Sequence, residues 1–476
     1  MFLPVTLLVY HLLPVHGRTR NWWLLLASVL FYWWGVGGEI VAISFVAVFS
    51  FVATWVSWYI TKKRVQSGHP GAARVPLALT VAIILIPLLV FKYIPQAAES
   101  GVPGFTRLAD SFGAADWILP LGISFFTFHA VSFAVDSART GFPLTRSFPS
   151  YLMYLFVFPH QIAGPIVRYA EIKEEIENPR VITPSRLGYG ASRFTWGLAK
   201  KVLIADNAGL VANAMFDSAA YSGQLSAPGA WIGAIAYAIQ IYFDFSGYSD
   251  MAIGLAAMLG FHFPENFRSP YASHSISDFW RRWHITLTRW FRDYVYIPLG
   301  GNRRGAVVEY GALLVVFALT SLWHGALVGF LIWGGLQAAA MLIERATGLR
   351  DSKRFLLVRR ILTAFFILFA WVPFRTTDFE HSVEIWRAML FRYPADFVAP
   401  QILTSLTSLS IAALILGALA FFASSKRTGF ERVFAPTEGN LAVSKVRGWA
   451  VAPVLFVVTI AGVLLSDFSP FLYFQF

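Results

Sequence analysis

Apolar stretches long enough to cross a bilayer recur along this chain from one end to the other, and they limit its fold more than any other feature. The run from Ile40 to Ile60 contains no charged residue, and a membrane-crossing helix needs about 20 such residues. Further candidate stretches, some of them short or carrying Gly, Pro and polar residues, cover Trp22 to Trp34, Val75 to Phe91, Ile118 to Val135 and Trp231 to Leu259. Others cover Leu313 to Leu342, Ile361 to Phe374, Ile402 to Phe422 and Trp449 to Leu465. Lipid offers backbone groups no hydrogen-bond partner, so apolar spans of this length must satisfy them internally as helices. The expected fold is all-α and polytopic, with about ten to thirteen membrane-embedded helices, some tilted or re-entrant. The first apolar stretch, Phe2 to Leu13, has no basic segment before it and no small-residue cleavage site after it, so it reads as a retained span.

Charge supports the membrane reading. Only 13% of residues are charged, about half the share in a soluble domain. The net charge of +12 comes from Lys and Arg clustered between the apolar spans. Examples are Lys62-Lys63-Arg64, Arg139 with Arg146, Arg359-Arg360 and Lys426-Arg427, the pattern of cytoplasmic loops. This reading makes nucleic acid an unneeded partner and membrane lipid the expected one. There is no cysteine, which excludes disulfides, thiolate metal sites and acyl-cysteine chemistry. Any thioester in the reaction must then belong to a substrate. No metal site is expected.

The middle of the chain is more polar than its flanks. Phe158-Pro159-His160-Gln161-Ile162-Ala163-Gly164-Pro165 carries two prolines and a glycine, so a broken or re-entrant element is expected there. Asp244 and Asp250 lie in the otherwise apolar run Tyr242 to Gly254. Carboxylates at membrane depth must face a cavity or a partner. Ser246, Gly247 and Ser249 between them also suit close helix packing, and both readings stand at this stage. Ser275 to Leu299 reads as one amphipathic helix at the interface. Trp280, Trp283, Leu287 and Tyr294 recur on one face, and Arg281, Arg282, Arg289 and Arg292 fall mostly off it. Such a helix serves as a membrane anchor, or its arginines hold the phosphates of a donor. It ends in the basic turn Gly300-Gly301-Asn302-Arg303-Arg304.

Two histidines stand out. His324 sits in Ser321-Leu322-Trp323-His324-Gly325-Ala326 inside an apolar run, and His284 closes Phe279-Trp280-Arg281-Arg282-Trp283-His284. A titratable ring at membrane depth costs several kcal/mol unless paired or wetted, which marks it as functional by default. His160 is ambiguous: it lines a tunnel or ties down the break around it. Of the others, His11, His16, His69, His262, His274 and His381 fall near loops or helix ends, where solvated histidines are ordinary, and His129 lies in a span beside Thr127 and Ser132, where a local hydrogen bond is expected.

Together these segments resemble the membrane-bound O-acyltransferase (MBOAT) family. The closer similarity is to its bacterial branch containing the membrane subunit of alginate O-acetyltransferase. The resemblance rests on Phe279 to His284, Tyr296 to Arg303 and Leu322 to Gly325, with Pro120 to Phe125, the His160 segment, Asp244 to Gly254 and the tail Pro470 to Phe476. It implies one membrane domain over residues 1–476, built as a helix bundle around a tunnel. N-terminal spans would occupy 1–150, a catalytic core 151–345 and further spans 346–476. The family's histidine corresponds to His324, and its second position, often His or Asn, to His284. The resemblance also implies a multi-pass protein of the bacterial inner membrane. Acetyl would pass from a cytoplasmic thioester donor, acetyl-CoA or an acyl carrier protein, with no covalently bound cofactor. It would travel toward a periplasmic partner of the SGNH-hydrolase type that modifies a polysaccharide. A relative of this branch passes D-alanine toward teichoic acid.

The residues suit that chemistry. Attack of a hydroxyl on a thioester needs a base, and neutral imidazole, with a pKa of about 6.5, contributes about 10² to 10⁴ in rate. His324 is the candidate base. His284 is expected to orient the donor or to hydrogen-bond the developing oxyanion. Trp280, Trp283, Arg281, Arg282, Asp244, Asp250, His160, Trp323 and Asn302 are the candidate donor- or substrate-binding residues. No Gly-x-Ser-x-Gly elbow, phosphate-binding Walker loop or His-Glu-x-x-His motif is present. The rival reading from another class is a transporter or flippase, where broken helices and intramembrane aspartates also occur. Within the family the rivals are transfer to lipid, peptidoglycan or teichoic acid.

Overall fold

A computed structural model describes residues 2–15, 18–66, 74–99, 106–107, 119–141, 143–178, 180–220, 225–351, 354–390, 400–422, 441–465 and 471. The loop around Lys426-Arg427 and the tail apart from Phe471 lie outside these residues. The described residues are helical with irregular connections. Two compact units emerge, one from Met1–Leu187 with Leu255–Pro264, the other from Gly188–Gly254 with Glu265–Phe476. Among the described residues, four segments are long and apolar enough to cross a membrane: Ile40–Lys63, Val75–Ala98, Ala306–His324 and Leu356–Thr376.

The first unit contains α1 (Phe2–Leu12), α2 (Thr19–Val36), α3 (Ile40–Gln66) and α4 (Arg74–Leu88). A π turn, Leu89–Tyr93, leads on to α5 (Ile94–Glu99), then α6 (Ile123–Thr140), α7 (Phe148–Phe156) and α8 (Tyr169–Glu177). Helix α3 exposes Val41, Phe45, Val48 and Val52, as a helix apolar on all sides does when it faces lipid. The expected break around His160 is present. Helix α7 stops at Phe156, a 3₁₀ turn covers Phe158–His160, and irregular backbone runs on to α8. Most of Val157 to Val167 is buried. Freed backbone groups find partners: Gln161 Nε2 donates to Phe156 O and Ser28 O, and Phe158 N donates to Ser28 Oγ. Irregular backbone at membrane depth needs this enclosure by protein.

The second unit takes most of α9 (Pro184–Ala199), from Gly188 on, a π turn over Lys200–Ala205, α10 (Asp206–Ala220) and the long α11 (Ala227–Met258) as far as Gly254. Short helices α12 (Ile276–Trp280) and α13 (Ile285–Phe291) follow, with a π turn over Arg292–Tyr296. Then come α14 (Ala306–His324), α15 (Val328–Ala346), α16 (Leu356–Thr376) and α17 (Phe379–Met389). The chain continues through α18 (Pro400–Ser405), α19 (Ser408–Phe422) and α20 (Leu441–Leu465). Helices α9 and α11 cross at glycines. A Cβ on Gly197 would lie 2.5 Å from Gly247 O, and one on Gly247 2.7 Å from Gly197 O. Only residues without a side chain allow backbones this close.

Two expectations are corrected. The run Leu313 to Leu342 is not one span: α14 ends at His324, Gly325 caps it by donating to Ser321 O, and Leu327 is extended before α15 begins. Nor is Ser275 to Leu299 one interfacial helix. It breaks at His284, whose φ of 41° and ψ of 55° are left-handed. Its indoles are not at an interface. Trp280, Trp283 and Trp290 are 8%, 5% and 6% exposed, and the first two belong to the unit's hydrophobic core. A periodic aromatic stripe signals burial against something apolar, and here protein rather than lipid supplies it.

Candidate active site

The break after α14 places an imidazole at a helix end. His324 is the last residue of α14, and its ring lies 4.8 Å edge-on from Phe374, 5.4 Å from Trp333 and 4.5 Å from Trp323. The chain turns back at once into α15, which supplies Trp333, and α16 supplies Trp371 and Phe374. His284 reaches the same space from the turn between α12 and α13. Both histidines line one narrow slot, with Asp244 and Phe245 of α11 and the indoles of Trp280, Trp283, Trp323, Trp333 and Trp371. The slot holds about 40 Å³, room for about three waters at roughly 10–15 Å³ each.

Most polar atoms around the slot are engaged. Trp280 Nε1 donates to Gln337 Oε1 at 3.1 Å, and Trp371 Nε1 to Tyr271 Oη at 3.1 Å. Tyr271 Oη in turn donates to Ala238 O at 2.9 Å. Among the described residues, His284 Nε2 and Trp333 Nε1 are buried atoms on lining side chains that have no protein partner. One of these is an indole donor and the other an imidazole nitrogen, so the slot offers a bound molecule two unsatisfied hydrogen-bonding atoms.

The two aspartates differ in setting. Asp244 lines the slot and pairs with Lys201 at 2.9 Å, and Lys201 also reaches Asp206 at 2.6 Å. Asp250 does not line it. Arg193 meets Asp250 at 2.7 Å and Lys200 meets it at 2.5 Å, and Arg193 also pairs with Glu265 at 2.6 Å. The expectation that intramembrane carboxylates need a cavity or a partner thus resolves as both for Asp244 and as partners for Asp250. Gly247, between them, makes the close helix contact described above.

Arg281 and Arg282 both pair with Asp278, at 3.5 and 3.1 Å, and Arg281 is more than half exposed. Burial pushes the Asp278 carboxyl upward, but Arg282, His274 and Arg281 outweigh it and hold the group below its usual range. Neither arginine lines the slot, and Asn302 sits exposed on the 3₁₀ turn Gly301–Arg303. His160 belongs to the first unit. Its Nε2 lies 2.8 Å from Tyr154 O, and its ring stacks on Phe263 5.1 Å away and faces His129 at 4.6 Å. Of the sequence candidates, the slot brings together His324, His284, Trp280, Trp283, Trp323 and Asp244.

Sequence reasoning missed Trp333, Trp371, Phe374 and Asn266. The first three are aromatics in apolar helices and carry no pattern of their own. Asn266 was more legible, because Glu265-Asn266 is a polar pair between apolar neighbours. Its Oδ1 lies 3.1 Å from His284 Nδ1.

The membrane-bound O-acyltransferase family model matches residues 23–375. A relative from Pseudomonas putida, named probable alginate O-acetylase AlgI, is 38% identical over 100% of this chain and 98% of its own length. A peptidoglycan O-acetyltransferase from Helicobacter pylori is 34% identical over 82% of this chain and 78% of its own. A teichoic acid D-alanyltransferase from Bacillus subtilis is 29% identical over 55% of this chain and 70% of its own.

Proposed function

Starting from a chain that belongs to the membrane-bound O-acyltransferase family, and so is a multi-pass membrane O-acyltransferase, we propose the following reaction. The slot transfers acetyl from a cytoplasmic thioester donor, acetyl-CoA or a loaded acyl carrier protein, to a hydroxyl. The product serves O-acetylation of an extracytoplasmic polysaccharide such as alginate, and the protein resides in the bacterial inner membrane. The relatives named for alginate and peptidoglycan acetylation favour acetyl and a cell-envelope acceptor. A periplasmic acetyltransferase of the SGNH type is the partner that would complete delivery to the polymer.

The observation that carries this reading is the placement of His324 and His284 on one narrow, mostly aromatic slot. His324 takes the proton of the attacking hydroxyl as its oxygen bonds to the thioester carbonyl carbon. Charge then collects on the carbonyl oxygen, and the Trp333 indole N–H is the donor in place to receive it. The carbon–sulfur bond breaks, and the His324 imidazolium returns its proton to the leaving thiolate. The aromatic walls exclude bulk water, which suppresses hydrolysis of the thioester. Asp244 stays paired with Lys201 and contributes fixed charge at the slot wall.

The test compares purified wild-type and His324→Ala proteins, with radiolabelled acetyl-CoA and then with loaded carrier protein. Thiol release that depends on His324 supports the reading and identifies the donor. Equal transfer by a well-folded His324→Ala protein removes His324 as the base.

A further inference from the structure

If the slot is where acyl transfer takes place, the contacts of Asn266 decide how its second histidine works. Thr286 N–H donates to the Asn266 side chain at 3.3 Å. A backbone N–H only donates, so the atom it meets is the amide oxygen, whichever way the amide is drawn. Thr286 Oγ1 donates to the same oxygen at 2.9 Å, and Asn266 Nδ2 donates to Ser249 Oγ at 3.1 Å, both compatible with that orientation. His284 Nδ1 lies 3.1 Å from that oxygen. Two acceptors do not hydrogen-bond, so Nδ1 carries a proton. In neutral imidazole the other nitrogen then holds a lone pair. That nitrogen, Nε2, is buried without a protein partner among the described residues, on a ring that lines the slot.

The backbone supports the same clamp. His284 is left-handed at φ 41°, a conformation rare outside glycine. Ile285 N donates to Asn266 O at 2.9 Å, and Arg268 N donates to Arg282 O at 2.9 Å. Asn266 therefore holds the turn through its main chain and the ring through its side chain.

We infer that Asn266 is a positioning residue that locks His284 with Nδ1 protonated and presents Nε2 to the substrate as a hydrogen-bond acceptor. In this state His284 cannot donate to an oxyanion. It accepts from an N–H or O–H of the bound substrate, and stabilising the carbonyl oxygen falls to another group.

Nitrogen NMR of the full-length protein in detergent, labelled with ¹⁵N-histidine, tests this directly. A spectrum of His284→Gln identifies the His284 signals by difference. The expected wild-type signals show Nδ1 protonated and Nε2 bare. Asn266→Leu should shift His284 toward the opposite tautomer and lower acetyl-CoA turnover by about 10- to 100-fold, the loss seen when a metal-bound histidine is deprived of its orienting partner. Asn266→Asp, whose carboxylate accepts the same bond, should keep Nδ1 protonated and recover part of that turnover. A wild-type His284 with Nε2 protonated, in a neutral or a cationic ring, overturns the inference. So does an unchanged tautomer in Asn266→Leu. A wild type with the expected tautomer that turns over neither acetyl-CoA nor loaded carrier protein would leave the role of Asn266 standing and remove the transfer reading instead.

Discussion

The ammonium of Lys200 lies 2.5 Å from the carboxylate of Asp250, and both side chains are buried. Lys200 opens the π turn between α9 and α10, and the next residue, Lys201, meets Asp244 from the same turn. A π turn carries an extra residue per turn, an irregularity that tends to sit at functional sites. Here it delivers two adjacent cations to two carboxylates on α11. The pairing at Asp250 serves the frame, and the pairing at Asp244 reaches the slot.

Removing Asp250 should therefore damage folding before chemistry. Asp250→Leu strands Lys200 at a buried position and strips Arg193 of one of its two carboxylates. Breaking a buried pair by deleting one partner costs about 3–5 kcal/mol. Thermal unfolding in detergent should show a lowered midpoint, and the surviving folded protein should retain most of its turnover. A folded Asp250→Leu protein of wild-type stability with no turnover would place Asp250 in the chemistry instead.

The glycine contact predicts a second structural loss. Gly247→Val pushes a branched side chain against Gly197 O, where even a Cβ would be 2.7 Å away. Backbone cannot give way as a flexible side chain can, so the cost should reach or exceed the roughly 1–3 kcal/mol typical of overpacking. Stability measurements on Gly247→Ala and Gly247→Val should show graded destabilisation. Equal stability of all three proteins would mean that α9 and α11 are farther apart than the structure places them.

Much of the site was legible before any coordinates. His324 and His284 stood out because imidazole is costly in an apolar run, and both line the slot. The break at His160 followed from Pro159, Gly164 and Pro165. What was not legible was long-range. The turn at His284 depends on main-chain bonds to Asn266 and Arg268, neither of which alters local periodicity. Leu313 to Leu342 stays apolar through His324 and Gly325, so hydropathy could not show two helices folding back on each other. For the same reason Trp333 looked like any core aromatic, because only the fold reveals that its N–H has no partner.

Trp333→Phe isolates that N–H. The aromatic wall is largely retained, and the donor at Nε1 is lost. Loss of one oxyanion donor lowers kcat by about 10²- to 10³-fold, and KM should change little because the ground-state carbonyl gains less from the bond. Steady-state kinetics with acetyl-CoA would measure the split. A rise in KM at unchanged kcat would assign Trp333 to ground-state binding rather than to the transition state.

The dimensions of the slot predict its acyl preference. Its roughly 40 Å³ is bounded by Trp333 and Trp371, which are 1% and 2% exposed. Trp371 is further fixed by its bond to Tyr271, itself anchored to Ala238 O. A packed aromatic wall admits a methyl group more readily than a propyl or pentyl chain, because extra methylenes must displace packed rings rather than water. One methylene is worth about 10- to 200-fold in such a pocket, so acetyl thioester should exceed butanoyl thioester in kcat/KM by at least that factor. Trp371→Leu shortens the wall and should narrow the ratio by raising butanoyl transfer and lowering acetyl transfer. Competition between the two thioesters, read by mass spectrometry of the products, measures the ratio in both proteins. A wild type indifferent to chain length, or a Trp371→Leu protein with an unchanged ratio, would show that the acyl chain lies elsewhere than against this wall.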